Sequence, residues 1–476
     1  MDRKERITQL VDEKLPAFTK VSDEIWGYAE LCYKEYQSCD CQIKEMERQG
    51  FRIERNIAGI ETAFIASYGE GHPIVAVLGE YDALAGLNQE ADNIHRNSFK
   101  PGEPGHGCGH NLLGAASMSA VTAIKEYMQE NNLKGTIRYY GCPAEEGGSA
   151  KTFMVRDGYF KDVDIALSWH PSQFNYVWDG EDCLGTYNII FHYKGIAAHA
   201  AACPQLGRSA LDAVELLNIG VQFLREHIIP EGRIHYAILN SGGTAPNVVQ
   251  AEAEVSYVIR APKMADMYDI ADRVIRIAEG AAMMTDTTMT KRVVSGTSNL
   301  LATKAVFDRY DANLRSFLPV PYTEDELAYA KKFKDSLDVS DRKRMINCLR
   351  ADYPGKSLKE LEEMLDMPMA NYICRETGNT ASTDAGDVTW VVPGCQLHVA
   401  CYPAGTPFHS WQMTAMGKSP LAHRSMGIAA KVIAMTALDF ILDEKLVQQA
   451  KADFIEKLEG QTYRCPLPMD LKPGGH

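Results

Sequence analysis

Between residues 62 and 172 the chain alternates short apolar runs with helical stretches, and a polar group follows each of the buried runs. Residues 74–78, Ile-Val-Ala-Val-Leu, have the continuous apolar character of a strand buried on both faces. Residues 136–140 and 164–168 repeat the pattern. A helical stretch over 111–130 separates the first run from the second, and a shorter one over 149–156 separates the second from the third. Such alternation predicts an α/β fold with a mostly parallel central sheet flanked by helices. Glu80-Tyr81-Asp82, Glu145-Glu146 and His170 each come just after one of these strands. In open α/β sheets ligands gather beyond the carboxyl ends of the strands, so three strands are expected to bring polar groups to one edge.

Around this nucleus, residues 3–50 carry a helical apolar stripe that includes Ile7, Leu10, Val11 and Leu15, and Gly50 closes it. A further strand is expected over 62–67. The segment 86–107 is a long loop rich in Pro, Gly and Asn, and long loops in compact domains are often functional. From about residue 186 the rhythm changes to strand 187–193, helix 209–227, strands 233–239 and 252–259, helix 264–284 and strand 287–294. That order is ferredoxin-like. It predicts an inserted α+β domain over 186–297, with a discontinuous catalytic domain over 1–185 and 298–476. Residues 323–372 are charged and helical, and read as a solvated face or lid decoration. A last strand, 396–401, precedes PAGTPFHSW, and a final helix covers 419–446. The Pro- and Gly-rich tail is expected to be loosely held.

The chain's 476 residues call for two or three domains. A net charge of −14 argues against nucleic acid and anionic membrane as partners. No run approaches the roughly 20 apolar residues of a membrane span, and the charged first residues do not read as an export signal. The 12 scattered cysteines are therefore expected to be reduced thiols in the cytoplasm, with Cys39-Asp40-Cys41 an incidental pair in a helix.

The residues that carry chemistry begin with Cys108-Gly109-His110-Asn111. A thiolate and an imidazole two residues apart suit a borderline-soft divalent ion. Glu145-Glu146 offers one carboxylate for a metal and another for the water beside it, where a metal lowers the pKa of water and a nearby Glu moves its proton. His170 and His409, both after strands, add imidazoles at the same edge. Glu80 or Asp82 could hydrogen-bond a ligand histidine and fix its tautomer. In the inserted domain, His199 could polarise a carbonyl and Arg260 could hold a carboxylate, with Asn247 nearby in sequence. Each residue also has a structural reading: a buried inert Cys, a capping His, an acidic turn, a surface His or a strand-end Arg.

In order, EYDALAGL, GHGCGHNLLGAA, PAEEGGSAK, SWHP, GIAAHAAACPQLGRSALDA, GGTAPNVV and GTPFHSW resemble the dinuclear metallopeptidase superfamily of carboxypeptidase G and aminoacylase. The resemblance is to its amidohydrolase branch. STDAGDVTWVVPG, GTPFHSWQ and the long helical insert are most similar to the B-type subunit of aminobenzoyl-glutamate hydrolase. The resemblance implies a metal-dependent amidohydrolase cleaving N-acyl or N-aroyl amino acids or small dipeptides, with aminobenzoyl-glutamate the leading single substrate. It implies two divalent ions per protomer, Zn2+ or Mn2+, held by Cys108, His110, Glu146, His170 and His409, with Glu145 as general base. It places His199 in the active site of the partner protomer of a homodimer formed by the inserted domain, which also serves as a lid. Asn247 and Arg260 would contact the substrate's amino-acid portion, and Asp384 matches the acid before the final ligand strand. A companion chain is consistent with the same type. Two positions depart from the branch pattern: Asn111 and Glu80 stand where aspartates are usual. Other expectations are a dipeptidase or aminoacylase of different specificity, a hydrolase with Cys108 as nucleophile and His110 as base, or a non-catalytic conjugate-binding module.

Overall fold

The computed structural model describes residues 2–338, 340, 342–375 and 381–474. The chain forms two compact units. The first takes Met1–Gly180, Leu301–Asn379 and Val388–Tyr463. The second takes Glu181–Leu300 with two later pieces, Thr380–Asp387 and Arg464–His476, where the sequence pattern had put both pieces in the surrounding domain.

In the first unit the strands are β1 (Arg52–Arg55), β2 (Phe64–Glu70), β3 (Ile74–Glu80), β4 (Gly135–Cys142), β5 (Ile165–Ser172) and β6 (Tyr176–Trp178). The second unit contributes β7 (Gly185–Lys194), β8 (Arg233–Asn240), β9 (Glu252–Ala261) and β10 (Thr288–Thr297), and the chain then returns to the first unit with β11 (Gly394–Ala400). The first sheet has the order β1-β2-β4-β3-β5-β11-β6. Its inner strands β4, β3, β5 and β11 run parallel, and β1, β2 and β6 pair antiparallel at the edges. Every residue of β3 and of β11 is buried, as strands covered on both faces must be. This is the mostly parallel α/β layer expected from the alternating runs.

The helix expected over 3–50 is two, α1 (Arg3–Tyr28) and α2 (Tyr36–Arg48). Ala29 takes a left-handed φ of 46° and ends α1. The Glu30 carboxylate then accepts the backbone N–H groups of Gln37 and Ser38, satisfying donors at the start of α2 that have no helical acceptor. Helix α3 (His110–Glu130) is buried along most of its length and packs on β3. Ser117 Oγ donates to the Leu78 carbonyl at 2.7 Å. A Cβ on Gly114 would lie 2.7 Å from the Glu80 carbonyl oxygen, so only glycine lets the first turns of α3 come this close to the end of β3. Helix α4 (Ala150–Arg156) follows β4.

The segment 323–372 is more than surface decoration. Its helices Glu324–Asp335, Arg342–Asp352 and Leu358–Asp366 bury Phe333, Met345, Leu349, Leu361 and Leu365. Thr323 with Glu326 and Ser357 with Glu360 form capping boxes. The final helical region breaks at Asp443 into Pro420–Leu442 and Glu444–Leu458. Pro420–Leu442 is, among the described residues, one helix long and apolar enough to cross a membrane, and it is mostly buried within the protein as a core helix is.

In the second unit, β7, α5 (Ala210–Leu224), β8, β9, α6 (Met264–Thr285) and β10 form an antiparallel sheet of order β10-β7-β9-β8 with two helices, the ferredoxin-like arrangement. The tail is held more firmly than its composition suggests. Tyr268 donates to the Arg464 carbonyl at 3.1 Å, the Arg464 guanidinium lies 4.1 Å from the Tyr268 ring centre, and Leu467 is buried.

Because α3 starts the site described below, its seating on β3 is testable. Gly114→Ala is expected to destabilise the protein by about 1–3 kcal/mol, the usual cost of overpacking a filled interior. Thermal or urea denaturation measures this; an unchanged midpoint would contradict the close approach.

Candidate functional site

Eight of the twelve residues singled out from the sequence meet at the carboxyl edge of the first sheet: Glu80, Asp82, Cys108, His110, Glu145, Glu146, His170 and His409. Glu80 ends β3 and Asp82 lies two residues on. Cys108 and Gly109 lead into α3, of which His110 is the first residue. Gly109 has a φ of +83°, and a Cβ there would strike the Tyr402 hydroxyl at 2.5 Å, so glycine is required between the two candidate ligands. Glu145 and Glu146 occupy the turn after β4. His170 lies within β5 rather than beyond it, because that strand runs on to Ser172. His409, with a left-handed φ of 50°, precedes the helix Trp411–Met416.

The potential ligand atoms fall into three groups, each with its members within 4.8 Å of one another: Cys108, His110 and His170; Cys108, Glu146 and His409; and Glu80, His110 and Glu145. Cys108 is common to the first two. Its Sγ lies 3.4 Å from His170 Nε2, while His409 Nε2 lies 3.4 Å from Glu146 Oε1. A thiolate shared between two neighbouring sets is the donor arrangement that lets two cations approach each other. Three buried atoms here, Glu80 Oε2, His110 Nε2 and Glu146 Oε1, have no hydrogen-bond partner. Buried polar atoms seldom stay unsatisfied, so the donor set fits divalent metal.

Asp82 organises the cluster. It is buried, and its Oδ1 lies 2.9 Å from His110 Nδ1 while its Oδ2 accepts the Glu146 backbone N–H at 2.8 Å. Burial works against its charge, but His110 and the Glu146 amide outweigh that, and its pKa lies below the ordinary aspartate value. Burial likewise opposes charge on His110, whereas Cys108 and Asp82 draw a proton to it and raise its pKa well above the usual imidazole range. A metal cation competes for that same attraction. His170 is pinned by Nδ1, 2.7 Å from the Pro171 carbonyl oxygen, which leaves Nε2 turned to Cys108. Burial and the neighbouring His110 push its pKa down to about 4. Burial and Glu146 raise the Cys108 thiol well above its usual value, the opposite of the electropositive setting that activates a nucleophilic cysteine.

The remaining four residues, His199, Asn247, Arg260 and Asp384, belong to the second unit. His199 and Asn247 are exposed, and the loops that carry them are tied by the His199–Val248 bridge and by Ala200 N–H donating to the Asn247 carbonyl at 3.0 Å. His199 Nδ1 accepts the amides of Ala201 and Ala202 at 3.2 Å each. Arg260, on β9, donates to Ser382 Oγ at 3.3 Å. Asp384 is fully buried.

Several residues at the first unit's cluster carry no local sequence signal that would single them out. Lys151 is completely buried, with Nζ 2.7 Å from Glu80 Oε1. It stands in the motif PAEEGGSAK, but at a helix start it resembles any solvated lysine. Glu35 is buried and accepts the Ala144 and Tyr33 amides at 2.9 Å each and the Thr62 hydroxyl at 3.1 Å, which fixes the turn carrying Glu145. Burial and the Asp82 charge raise its pKa to about 8. His398 pairs in register with His170 and stacks on Tyr176 at 4.3 Å. No local pattern marks it, because only the β5–β11 pairing brings it there. Asn111, where the branch pattern has an aspartate, is buried and uses its amide N–H groups on Ser22 Oγ at 3.0 Å and the Gly417 carbonyl at 2.9 Å. An aspartate has no such donors.

Asp82→Asn removes the charge that holds His110. It is expected to weaken binding of a divalent ion by roughly 10- to 100-fold, measured by titration of metal-stripped protein. Unchanged affinity would deny Asp82 this role.

Comparison with known proteins shows the family and the fold. The model of peptidase family M20/M25/M40 matches residues 76–329. The chain is 44% identical to the B-type subunit of p-aminobenzoyl-glutamate hydrolase from Escherichia coli (strain K12), over 98% of this chain and 99% of that one. It is 29% identical to the A-type subunit of the same organism's hydrolase, over 50% of this chain and 57% of that one. Its fold is similar to the crystal structure of a dinuclear metal-binding M20 peptidase from Bacillus subtilis, with a TM-score of 0.55, 14% identity, and coverage of 89% of this chain and 99% of that one. With a family model spanning half its length and a relative aligned end to end, the chain belongs to peptidase family M20/M25/M40, a family of hydrolases.

Proposed function

We propose that the protein is a dinuclear metal-dependent amidohydrolase that cleaves p-aminobenzoyl-glutamate or a closely similar N-aroyl amino acid. The observation that carries this is the pair of ligand groups sharing Cys108 with Glu145 beside them. The substrate rests on the end-to-end likeness to the B-type subunit of the E. coli hydrolase.

Cys108, His110 and His170 would hold one ion, and Cys108, Glu146 and His409 the other, with zinc and manganese both suited to this donor set. The ions would supply Lewis-acid chemistry, lowering the pKa of water and polarising the amide carbonyl. Glu145 takes the proton of the attacking water and delivers it to the departing amine nitrogen. Asp82 keeps His110 oriented while Glu35 holds the turn that aims Glu145. His199 uses Nδ1 as an acceptor, so its neutral ring carries the proton on Nε2 and can donate to the oxyanion of the tetrahedral state. Arg260 and Asn247 receive the glutamate portion, Arg260 through its carboxylate.

The partner that receives His199 is a second copy of the chain. β8 is an edge of the second sheet and leaves Tyr236, Ile238 and Leu239 exposed, as α5 leaves Ile219 and Phe223. An open edge with this much apolar surface favours pairing with another chain. A companion chain similar to the A-type subunit is a further partner consistent with the relatives.

Three outcomes test this reading. Chelation should abolish hydrolysis in a screen of p-aminobenzoyl-glutamate, other N-acyl amino acids and dipeptides, and added Zn2+ or Mn2+ should restore it; activity in metal-free protein would refute the mechanism. Glu145→Gln should keep its metal yet lose roughly 100- to 10,000-fold in kcat, and near-normal turnover would remove it as base. In sedimentation experiments the wild type should be a dimer and the double variant Phe223→Lys, Ile238→Lys a monomer; a dimer in both would place the interface elsewhere.

A further inference from the structure

Glu80 is not needed to orient a histidine, because Asp82 already engages His110 Nδ1. Its own surroundings point elsewhere. Glu80 is 2% exposed and Lys151 is 0% exposed, and Lys151 Nζ engages Glu80 Oε1 at 2.7 Å. The second oxygen, Oε2, lies 3.2 Å from His110 Nε2. Both atoms are buried, and neither has a hydrogen-bond partner. Asp82 takes up His110 Nδ1, so Nε2 is the ring atom left facing Glu80. Each atom forfeits in the interior the hydrogen bonds it would make in water. A cation in front of both atoms satisfies both. Glu145 offers a third donor atom, an oxygen, in the same group, within 4.8 Å.

We propose that Glu80 is itself a metal ligand: Oε2 shares a divalent ion with His110 Nε2, while Lys151 neutralises Oε1 and keeps the carboxylate to a single coordinating oxygen. This rests on the dinuclear reading above and adds a sixth protein donor to it. Carboxylate oxygen is a hard ligand, and an ion with this extra donor is pushed towards higher coordination number. The position held by His110 and Glu80 therefore suits manganese better than a site of sulfur and nitrogen alone. Lys151 is a positioning residue, acting through the carboxylate it holds.

The test is Mn2+ binding to the metal-stripped full-length chain, with free Mn2+ followed by its electron paramagnetic resonance signal. Wild type is expected to bind two ions. Glu80→Gln is expected to retain one with wild-type affinity and to bind the other at least about tenfold more weakly. Glu80→Asp keeps the charge opposite Lys151 but withdraws the oxygen by one methylene, and is expected to show the same loss; it decides the matter if Glu80→Gln fails to fold by circular dichroism. Two ions bound with wild-type affinity in both variants would overturn the role of Glu80 and leave the dinuclear centre standing. A wild-type chain that binds neither Mn2+ nor Zn2+ would overturn the dinuclear centre itself.

Discussion

One buried carboxylate holds the candidate site together. Asp82 uses one oxygen on the His110 ring and the other on the Glu146 backbone, 2.9 and 2.8 Å away. His110 starts the helix after β3, and Glu146 sits in the turn after β4. A single side chain therefore ties two crossover segments of the parallel sheet to one point. Such a group is costly to bury unless both oxygens are used. Here both are, so the desolvation that opposes its charge becomes a reason for the cluster to keep one geometry.

The rest of the site is layered on that point in the same manner. Glu35 fixes the turn before Glu145 through the Ala144 amide. The Pro171 carbonyl sets the ring of His170, and Gly109 permits the thiol and imidazole to stand side by side with Tyr402 behind them. The close seating of α3 on β3 at Gly114 carries the ligand-bearing end of the helix into place. These supports act on atoms that do not themselves face the cluster, and the facing atoms His110 Nε2 and Glu146 Oε1 have no protein hydrogen-bond partner. That division of labour is what a metal centre requires of its outer residues.

The second unit has a different economy. Its ferredoxin-like sheet leaves the β8 edge exposed and apolar, as is one flank of α5, and the unit holds His199, Asn247, Arg260 and Asp384. The proposed substrate contacts and the proposed pairing surface belong to the same small unit.

The sequence by itself determined the layer type, the ferredoxin-like order and the eight residues at the sheet edge. Apolar runs of strand length and motifs such as GHGCGHNLLG are local features, and the parallel topology sends strand ends to one side. Lys151, Glu35 and His398 were not legible, because each matters only through a partner far away in sequence: Lys151 through Glu80, Glu35 through Ala144, and His398 through its register with His170. The firm hold on the tail came from Tyr268 in the same way. Composition made 323–372 a solvated face, but capping boxes and a buried stripe make it part of the fold. The separate tasks of Glu80 and Asp82 were also decided only in three dimensions. Two acids on one strand end are alike in sequence; burial beside Lys151 and the two nitrogens of His110 give them different work.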